Sequence, residues 1–346
     1  MRAAVLRSFG GPDGISVESW PDPVPAADEV LVRVRAVAVN RTDVYAMTRT
    51  NIGRRVELPH VGGVDPAGEV VGLGSAATEW SVGDRVVARP MIPCQGCRFC
   101  HSGPESMCER PAYIGIHRPG GFAELVALPA RALYEIPPDV SFEQASAMAH
   151  SVPIAVHLLR TVGGVGPADT VLVVGAGGGL GVACLQVARV LGARVIAAVG
   201  DQGKVSASIA AGADEALTYE PLDTFPDRIR SLSRNTGPTV LVDNIGDGRL
   251  WAALVASLDR GGRIVSCGSH AGGLVELDLN LFYRQQLSLL STAGTSDEEF
   301  RDALRLVAEG HVRPIIHEVF PLDGIRAAFQ VMLDRGNVGK LVIRVQ

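Results

Sequence analysis

The stretch TVLVVGAGGGLGVACLQVARVLGARVIAAVG, residues 170–200, constrains the fold more than any other part of the chain. An apolar run of strand length ends in glycines, a helical run follows, and a second apolar run closes the unit. Gly175, Gly178 and Gly181 fall three apart where the strand hands over to the helix. A Cβ there blocks close backbone approach, and the first N–H groups of the helix point at an anion, so this is the setting in which a glycine loop cradles a pyrophosphate. The literal G-x-G-x-x-G pattern is absent, and a tight strand–helix turn without a ligand is the alternative. The alternation continues through EALTY, TVLVDN and RIVSCG, which makes five strands in all, with helical stretches between them. Such alternation implies a parallel sheet with helices on both faces.

Past the second strand, GDQGK (200–204) places Asp201 twenty residues beyond Gly181. A carboxylate there accepts hydrogen bonds from ribose hydroxyls and repels a 2′-phosphate, which favours NAD(H) slightly over NADP(H). Lys204 is the counterweight, as a contact for a phosphate or the ribose, and Asp201 has the alternative of capping the next helix.

The first ~150 residues read differently. EVLVRVRAVAV (29–39), GEVVGLG (68–74), GDRVVAR (83–89) and FAELVALP (122–129) are β-type runs punctuated by Gly and Pro. They point to a mostly antiparallel, partly barrelled β domain. Ser141 and Gln144 have the spacing of a capping box at the start of a helix, which Pro153 is expected to kink or interrupt. The closing run KLVIRV is expected to return to the first domain.

Four cysteines, Cys94, Cys97, Cys100 and Cys108, fall within fifteen residues. Reduced, they supply a closed tetrahedral S₄ set for one structural Zn²⁺, with no open position for substrate. A metal-free or oxidised lobe is the alternative. Cys184 and Cys267 sit in apolar runs and read as small core residues. Reduced cysteines fit a cytoplasmic protein. The net charge of −5 argues against a nucleic-acid surface, and no run of about 18 apolar residues is present to span a membrane.

A β-rich first half, a four-cysteine lobe and a glycine-loop sheet together resemble the medium-chain dehydrogenase/reductase superfamily, the zinc-binding alcohol dehydrogenase-like group. The shared features include the x2, x2, x7 cysteine spacing, GGLG, GGRIVSCG and the closing GNVGKLVIRV, so the likeness covers essentially the whole chain. It implies an α/β protein: a GroES-like, mostly β catalytic domain from residues 1–150 and 291–346, with a zinc lobe at 93–110, plus a Rossmann doubly wound parallel-sheet domain at 151–290. It also implies an active site in the cleft between the domains and a homodimer or homotetramer.

In the zinc alcohol dehydrogenases of this superfamily a catalytic metal uses a Cys in C-H-T-D, a His in G-H-E-x-A-G and a third donor ahead of a T-A or T-G step. Here the first segment reads Asn40-Arg41-Thr42-Asp43 and the second Gly63-Val64-Asp65-Pro66-Ala67-Gly68, while His150 of HSVPIA fills the third place. Asparagine is a poor zinc ligand and valine is none, so the three protein donors of a catalytic zinc are missing. The segments resemble instead the quinone oxidoreductase and enoyl reductase branch. That likeness implies a small α,β-unsaturated carbonyl or acyl-thioester substrate, reduced by hydride transfer to its β-carbon. Hydrogen-bond donors then hold the developing enolate.

The donor candidates are Asn40, Arg41, Tyr45 and His150, with Asp43 orienting its neighbours. Tyr45 has the alternative of a packing ring and His150 that of a satisfied buried histidine. For the cofactor, the resemblance carries over to Gly175, Gly178, Gly179 and Leu180 in the phosphate loop. Asp201, Lys204 and Tyr219 fall at the adenosine ribose, Asn244, Gly268 and Ser269 along the dinucleotide, and Lys340 near the cleft. Arg41, Arg49, Arg54, Arg55 and Arg118 are candidates for a coenzyme phosphate or ordinary solvated charges. A zinc-type alcohol dehydrogenase and a non-catalytic dinucleotide-binding protein are the competing readings.

Overall fold

The computed structural model describes residues 1–346 and separates into two compact units. Unit 1 comprises residues 1–150, 296–310 and 316–346, and unit 2 comprises residues 151–295 and 311–315.

The eleven-residue strand Glu29–Val39 is the axis of unit 1. Its buried valines, Val30, Val32 and Val34, alternate with the more exposed Leu31, Arg33 and Arg35 over the first half, and Val37–Val39 are all buried. A strand of this kind needs partners on both edges and apolar cover on both faces. It pairs antiparallel with Asp65–Leu73, Leu125–Pro129 and Lys340–Arg344. The closing strand therefore lies in the same sheet as the first long one. Two register shifts in the pairing with Asp65–Leu73 bend the sheet. A smaller sheet runs Ile15–Ser19, Arg2–Leu6, His60–Val61. The shared core includes Val5, Val30, Val34, Phe122, Leu128, Phe329 and Ile343.

One consequence of register positions everything that follows. Ala38 stands opposite Asp65, and Val39 opposite Leu341. Hence Asn40, just past one strand, meets the first residues of two others, Asp65 and Lys340.

Unit 2 holds six parallel strands in the order Glu215–Thr218, Arg194–Val199, Thr170–Val174, Val240–Asp243, Arg263–Ser266, Ser288–Ser291. The chain winds outward one way from Thr170–Val174 and then returns to wind the other way. With right-handed crossovers this places helices on both faces, the doubly wound arrangement expected. Val171–Val174 are fully buried, as the central strand of such a sheet must be. The sixth strand, SLLS, is an addition to the five read from sequence; it is a short edge strand between polar residues.

The Ser141 and Gln144 capping box forms as expected, each side chain bonding the other's backbone N–H at 3.1 and 3.0 Å. Pro153 does not stop its helix, which runs Phe142–Val156 with the proline inside it. The next turn, His157–Val162, has π geometry. No helix is long and apolar enough to cross a membrane.

The glycine loop gives a direct test of the packing. A Cβ on Gly181 would lie 2.3 Å from the Gly175 carbonyl oxygen and 2.7 Å from Ala176 Cα, both backbone atoms. One on Gly166 meets nothing within 4 Å. Gly181→Ala is therefore expected to lose about 1–3 kcal/mol in urea unfolding, and Gly166→Ala to stay within about 0.5 kcal/mol of the parent. Equal midpoints for the two variants would contradict this packing.

Candidate active site

Asn40 ends one strand and caps helix Arg41–Thr48. Its backbone N–H donates to Asp43 Oδ2 at 2.8 Å, and the Gly63 N–H donates to Asp43 Oδ1 at 3.1 Å. Gly63 is required here: its φ is +100°, and a Cβ would meet Phe122 N at 2.6 Å. Asp43 is buried, and burial pushes its carboxyl up to about 7. The nearby Asp65 adds to the rise, against the two N–H bonds and Lys340.

The Asn40 side chain is wholly committed. Nδ2 donates to Asp65 Oδ2 at 2.7 Å and to Ala38 O at 3.1 Å, and Oδ1 accepts from Lys340 Nζ. Asn40 is thus a bridge, with no N–H left over for another acceptor. Lys340 Nζ also reaches Asp65 Oδ2 at 3.4 Å. Burial lowers the proton affinity of this ammonium, while Asp65 and Asp43 raise it.

Asp65 has no exposed surface, and its Oδ1 has no hydrogen-bond partner. His150 Nδ1 lies 3.9 Å from that oxygen, on an imidazole 26% exposed. Burial lowers the imidazole's pKa, Lys340 lowers it further, and Asp65 opposes both. Ser146, one helical turn before His150, accepts from Ala38 N at 2.6 Å and donates to Asp65 O at 2.7 Å, which ties the helix to both strands.

The other donor candidates have partners of their own. Tyr45 is half-buried; its phenol bonds the Asn51 side chain, and burial raises its pKa. Arg41 donates to Met332 O at 3.1 Å. Arg118, partly buried, pairs with Glu29 at 2.5 Å, while Arg49 is exposed and lies over the Phe9 ring. Asp65 was not among the residues singled out from sequence. The acidic residue two places after Gly63 was the only local signal for it.

Asn40, Val64 and His150 stand where a catalytic zinc would need its donors. Asn40 is saturated, Val64 is buried and apolar, and His150 is the one imidazole, beside a carboxylate that already has an ammonium on it. This donor set does not fit a catalytic zinc. The lobe does fit a structural one. The sulfur atoms of Cys94, Cys97, Cys100 and Cys108 all lie within 4.8 Å of one another, with Cys97–Cys100 at 3.5 Å and Cys94–Cys100 at 4.0 Å. Tetrahedral Zn–S bonds put sulfurs roughly 3.8 Å apart.

In unit 2 the glycine loop lies at the carboxyl end of Thr170–Val174, beside the reversal of strand order. The Gly175 N–H donates to Tyr219 Oη at 2.8 Å. Asn244 Oδ1 would lie 2.9 Å from a Cβ on Gly175, and Asn244 O 2.8 Å from one on Gly268, so these four residues are neighbours. Ser269 follows in the same loop, against Gly246. Gly178 caps helix Gly179–Val190 with no side chain, so its first N–H groups, including those of Gly179 and Leu180, have no side-chain cap. The exposed Asp201 accepts from Gly203 N at 2.6 Å, and the Lys204 stem covers Gly177. This bare, glycine-lined cradle fits a dinucleotide. Lys340 belongs to unit 1, where its ammonium bonds Asn40 and Asp65.

Residues 26–138 match the family described as alcohol dehydrogenase GroES-like domain, and residues 179–309 that described as zinc-binding dehydrogenase. A solved structure of an NAD-dependent alcohol dehydrogenase is 34% identical, with a TM-score of 0.93 over 100% of both chains. The acryloyl-coenzyme A reductase of Metallosphaera sedula is 28% identical over 99% of each chain. The NAD-dependent alcohol dehydrogenase of Sulfolobus acidocaldarius is 29% identical over 100% of each. With both domains and both sites in place, the chain belongs to the medium-chain dehydrogenase/reductase superfamily, as an NAD(P)-dependent oxidoreductase of its zinc-binding alcohol dehydrogenase-like group.

Proposed function

We propose that this chain is an NAD(P)H-dependent reductase of carbon–carbon double bonds conjugated to a carbonyl, with α,β-unsaturated acyl thioesters as its substrate class and no catalytic zinc. The observation that carries this reading is the buried Lys340 ammonium, 3.4 Å from Asp65 and bonded to Asn40. Alcohol oxidation needs an alkoxide held by a Lewis acid, and these residues do not supply a place for one. Conjugate reduction needs only a hydrogen bond to the carbonyl oxygen and a proton for the α-carbon. The likeness to an acryloyl-coenzyme A reductase along 99% of the chain supports the thioester.

When bound, the reduced nicotinamide supplies the hydride. The N–H groups at Gly179 and Leu180 receive the pyrophosphate, and Asp201 accepts from the ribose hydroxyls through the oxygen that its turn leaves over. Lys204, Tyr219, Asn244, Gly268 and Ser269 line the path of the dinucleotide. In unit 1, His150 gives its Nε2 proton to the substrate while Nδ1 faces Asp65. Tyr45 donates to the carbonyl oxygen. Asn40 and Asp43 hold the frame and do not touch the substrate.

The free edge of Ser288–Ser291, with exposed Leu289, Leu279 and Tyr283 nearby, supports a homodimer in which two such edges pair.

The substrate test is a steady-state panel of acryloyl and crotonyl thioesters, small enones, quinones, simple alcohols and threonine with both nicotinamides. Reduction of the thioesters is expected to dominate, with His150→Asn about 10²–10⁴-fold slower in kcat. Oxidation of alcohols or threonine with thioesters untouched would overturn the reading. Asp201→Ser is expected to raise the NADPH/NADH ratio of kcat/KM by about tenfold or more, the equivalent of roughly 1.4 kcal/mol. An unchanged ratio would remove Asp201 from the ribose. Leu289→Arg is expected to shift the sedimentation coefficient to that of a monomer of 36.4 kDa, and an unaltered dimer would place the interface elsewhere.

A further inference from the structure

The Asn40–Asp65–Lys340–His150 cluster contains more than the reaction just described uses. Asp65 is held on one side only. Oδ2 takes the Asn40 amide and the Lys340 ammonium, while Oδ1, fully buried, takes nothing and faces His150 Nδ1 across 3.9 Å. A buried carboxylate oxygen in that state is an acceptor waiting for a donor. A small displacement of the imidazole closes the gap to a hydrogen bond.

A lone buried carboxylate would bind an imidazolium tightly and keep its proton. Here the same carboxylate already has a cation on its other oxygen. We propose that Lys340 is a positioning residue that acts through Asp65: its ammonium shares the Asp65 charge, so that Asp65 orients His150 without retaining its proton, and His150 releases that proton to the α-carbon of the substrate. This rests on the enoyl-reductase reading. The balance is complete. The β-carbon takes a hydride from a reduced nicotinamide, and the π electrons move to the α-carbon and the carbonyl oxygen. The His150 Nε2–H bond then breaks as the α-C–H bond forms. The neutral imidazole takes a new proton from water before the next turnover.

The charged surroundings of this pair are few. Asp65 on Asp65–Leu73 and Lys340 on Lys340–Arg344 act on His150. Asp65 and Asp43, the latter on Arg41–Thr48, act on Lys340. The present balance lowers the pKa of His150, with Lys340 contributing to the lowering. Removal of the ammonium must therefore raise the pKa of His150, and removal of the Asp65 charge must lower it further.

The experiment follows His150 in two ways: the kcat–pH profile with an acryloyl thioester, and a ¹⁵N NMR titration of the full chain labelled in histidine, with the His150 signals assigned through His150→Asn. Activity that depends on a protonated His150 falls as pH rises through its pKa. Lys340→Met is expected to move that fall and the NMR midpoint upward together by about one pH unit or more, the effect of losing one nearby charge. Lys340→Arg, which keeps the charge, is expected to leave both near the parent. Asp65→Asn is expected to move the midpoint downward. If Lys340→Met does not fold, the Asp65→Asn and Lys340→Arg titrations decide the matter. A midpoint unmoved in Lys340→Met, or a downward move in Lys340→Arg as large as that in Asp65→Asn, would overturn the proposal. Failure of the substrate reading shows separately, as absent thioester turnover, while the NMR titration still reports whether Lys340 acts on His150.

Discussion

A buried ammonium among carboxylates sets the terms for unit 1. Taking a charge out of water costs several kcal/mol, so Lys340 at 6% exposure persists only because Asn40 and Asp65 receive it. Removing one partner of such a pair typically costs about 3–5 kcal/mol, because the other charge is left stranded. The cluster therefore locks three strand ends into one register, and the register in turn places the cluster. A long strand that pairs with Asp65–Leu73 on one side and Lys340–Arg344 on the other can offer this arrangement, because its last residues stand opposite the first residues of both.

The cysteine lobe holds a different part of unit 1. Between Cys100 and Cys108 it presents Glu105, which accepts from the buried Arg89 at 2.8 Å and from the Asp297 N–H at 2.6 Å. The same Asp297 side chain accepts from Tyr134 Oη, whose ring packs 4.4 Å from that of Phe300. Four thiolates gathered on a zinc ion would fix the loop that carries Glu105 and so help seat the buried arginine. The spacing of the cysteines is a statement about scaffolding, and the proposed chemistry lies with residues that no short motif joins.

Much of the architecture was legible because it is written in local periodicity. Continuous apolar runs announced the buried parallel strands, the glycines announced the loop between strand and helix, and Ser141 with Gln144 announced a helix start that forms as written. The edge strand Ser288–Ser291 escaped because an edge needs no apolar run. Pro153 does not interrupt its helix, because a proline removes only one ladder bond and the packed helix keeps the rest. The active cluster was only half legible. Asn40, Asp43, His150 and Lys340 stood out by position, but Asp65 did not, and the two partners Asp65 and Lys340 are 275 residues apart and meet only through antiparallel pairing. Nor does any local signal tell that both N–H bonds of Asn40 are already given away, or that Tyr45 turns to Asn51.

In the proposed reaction the Lys340 ammonium, held by Asn40 and Asp65, leaves no place for a catalytic zinc. Crystals of the zinc-loaded protein, measured with X-rays on either side of the zinc absorption edge, test this most directly. The expected anomalous map has one peak per chain, enclosed by Cys94, Cys97, Cys100 and Cys108. A second peak within bonding distance of Asp65 and His150, with Lys340 swung aside, would contradict it.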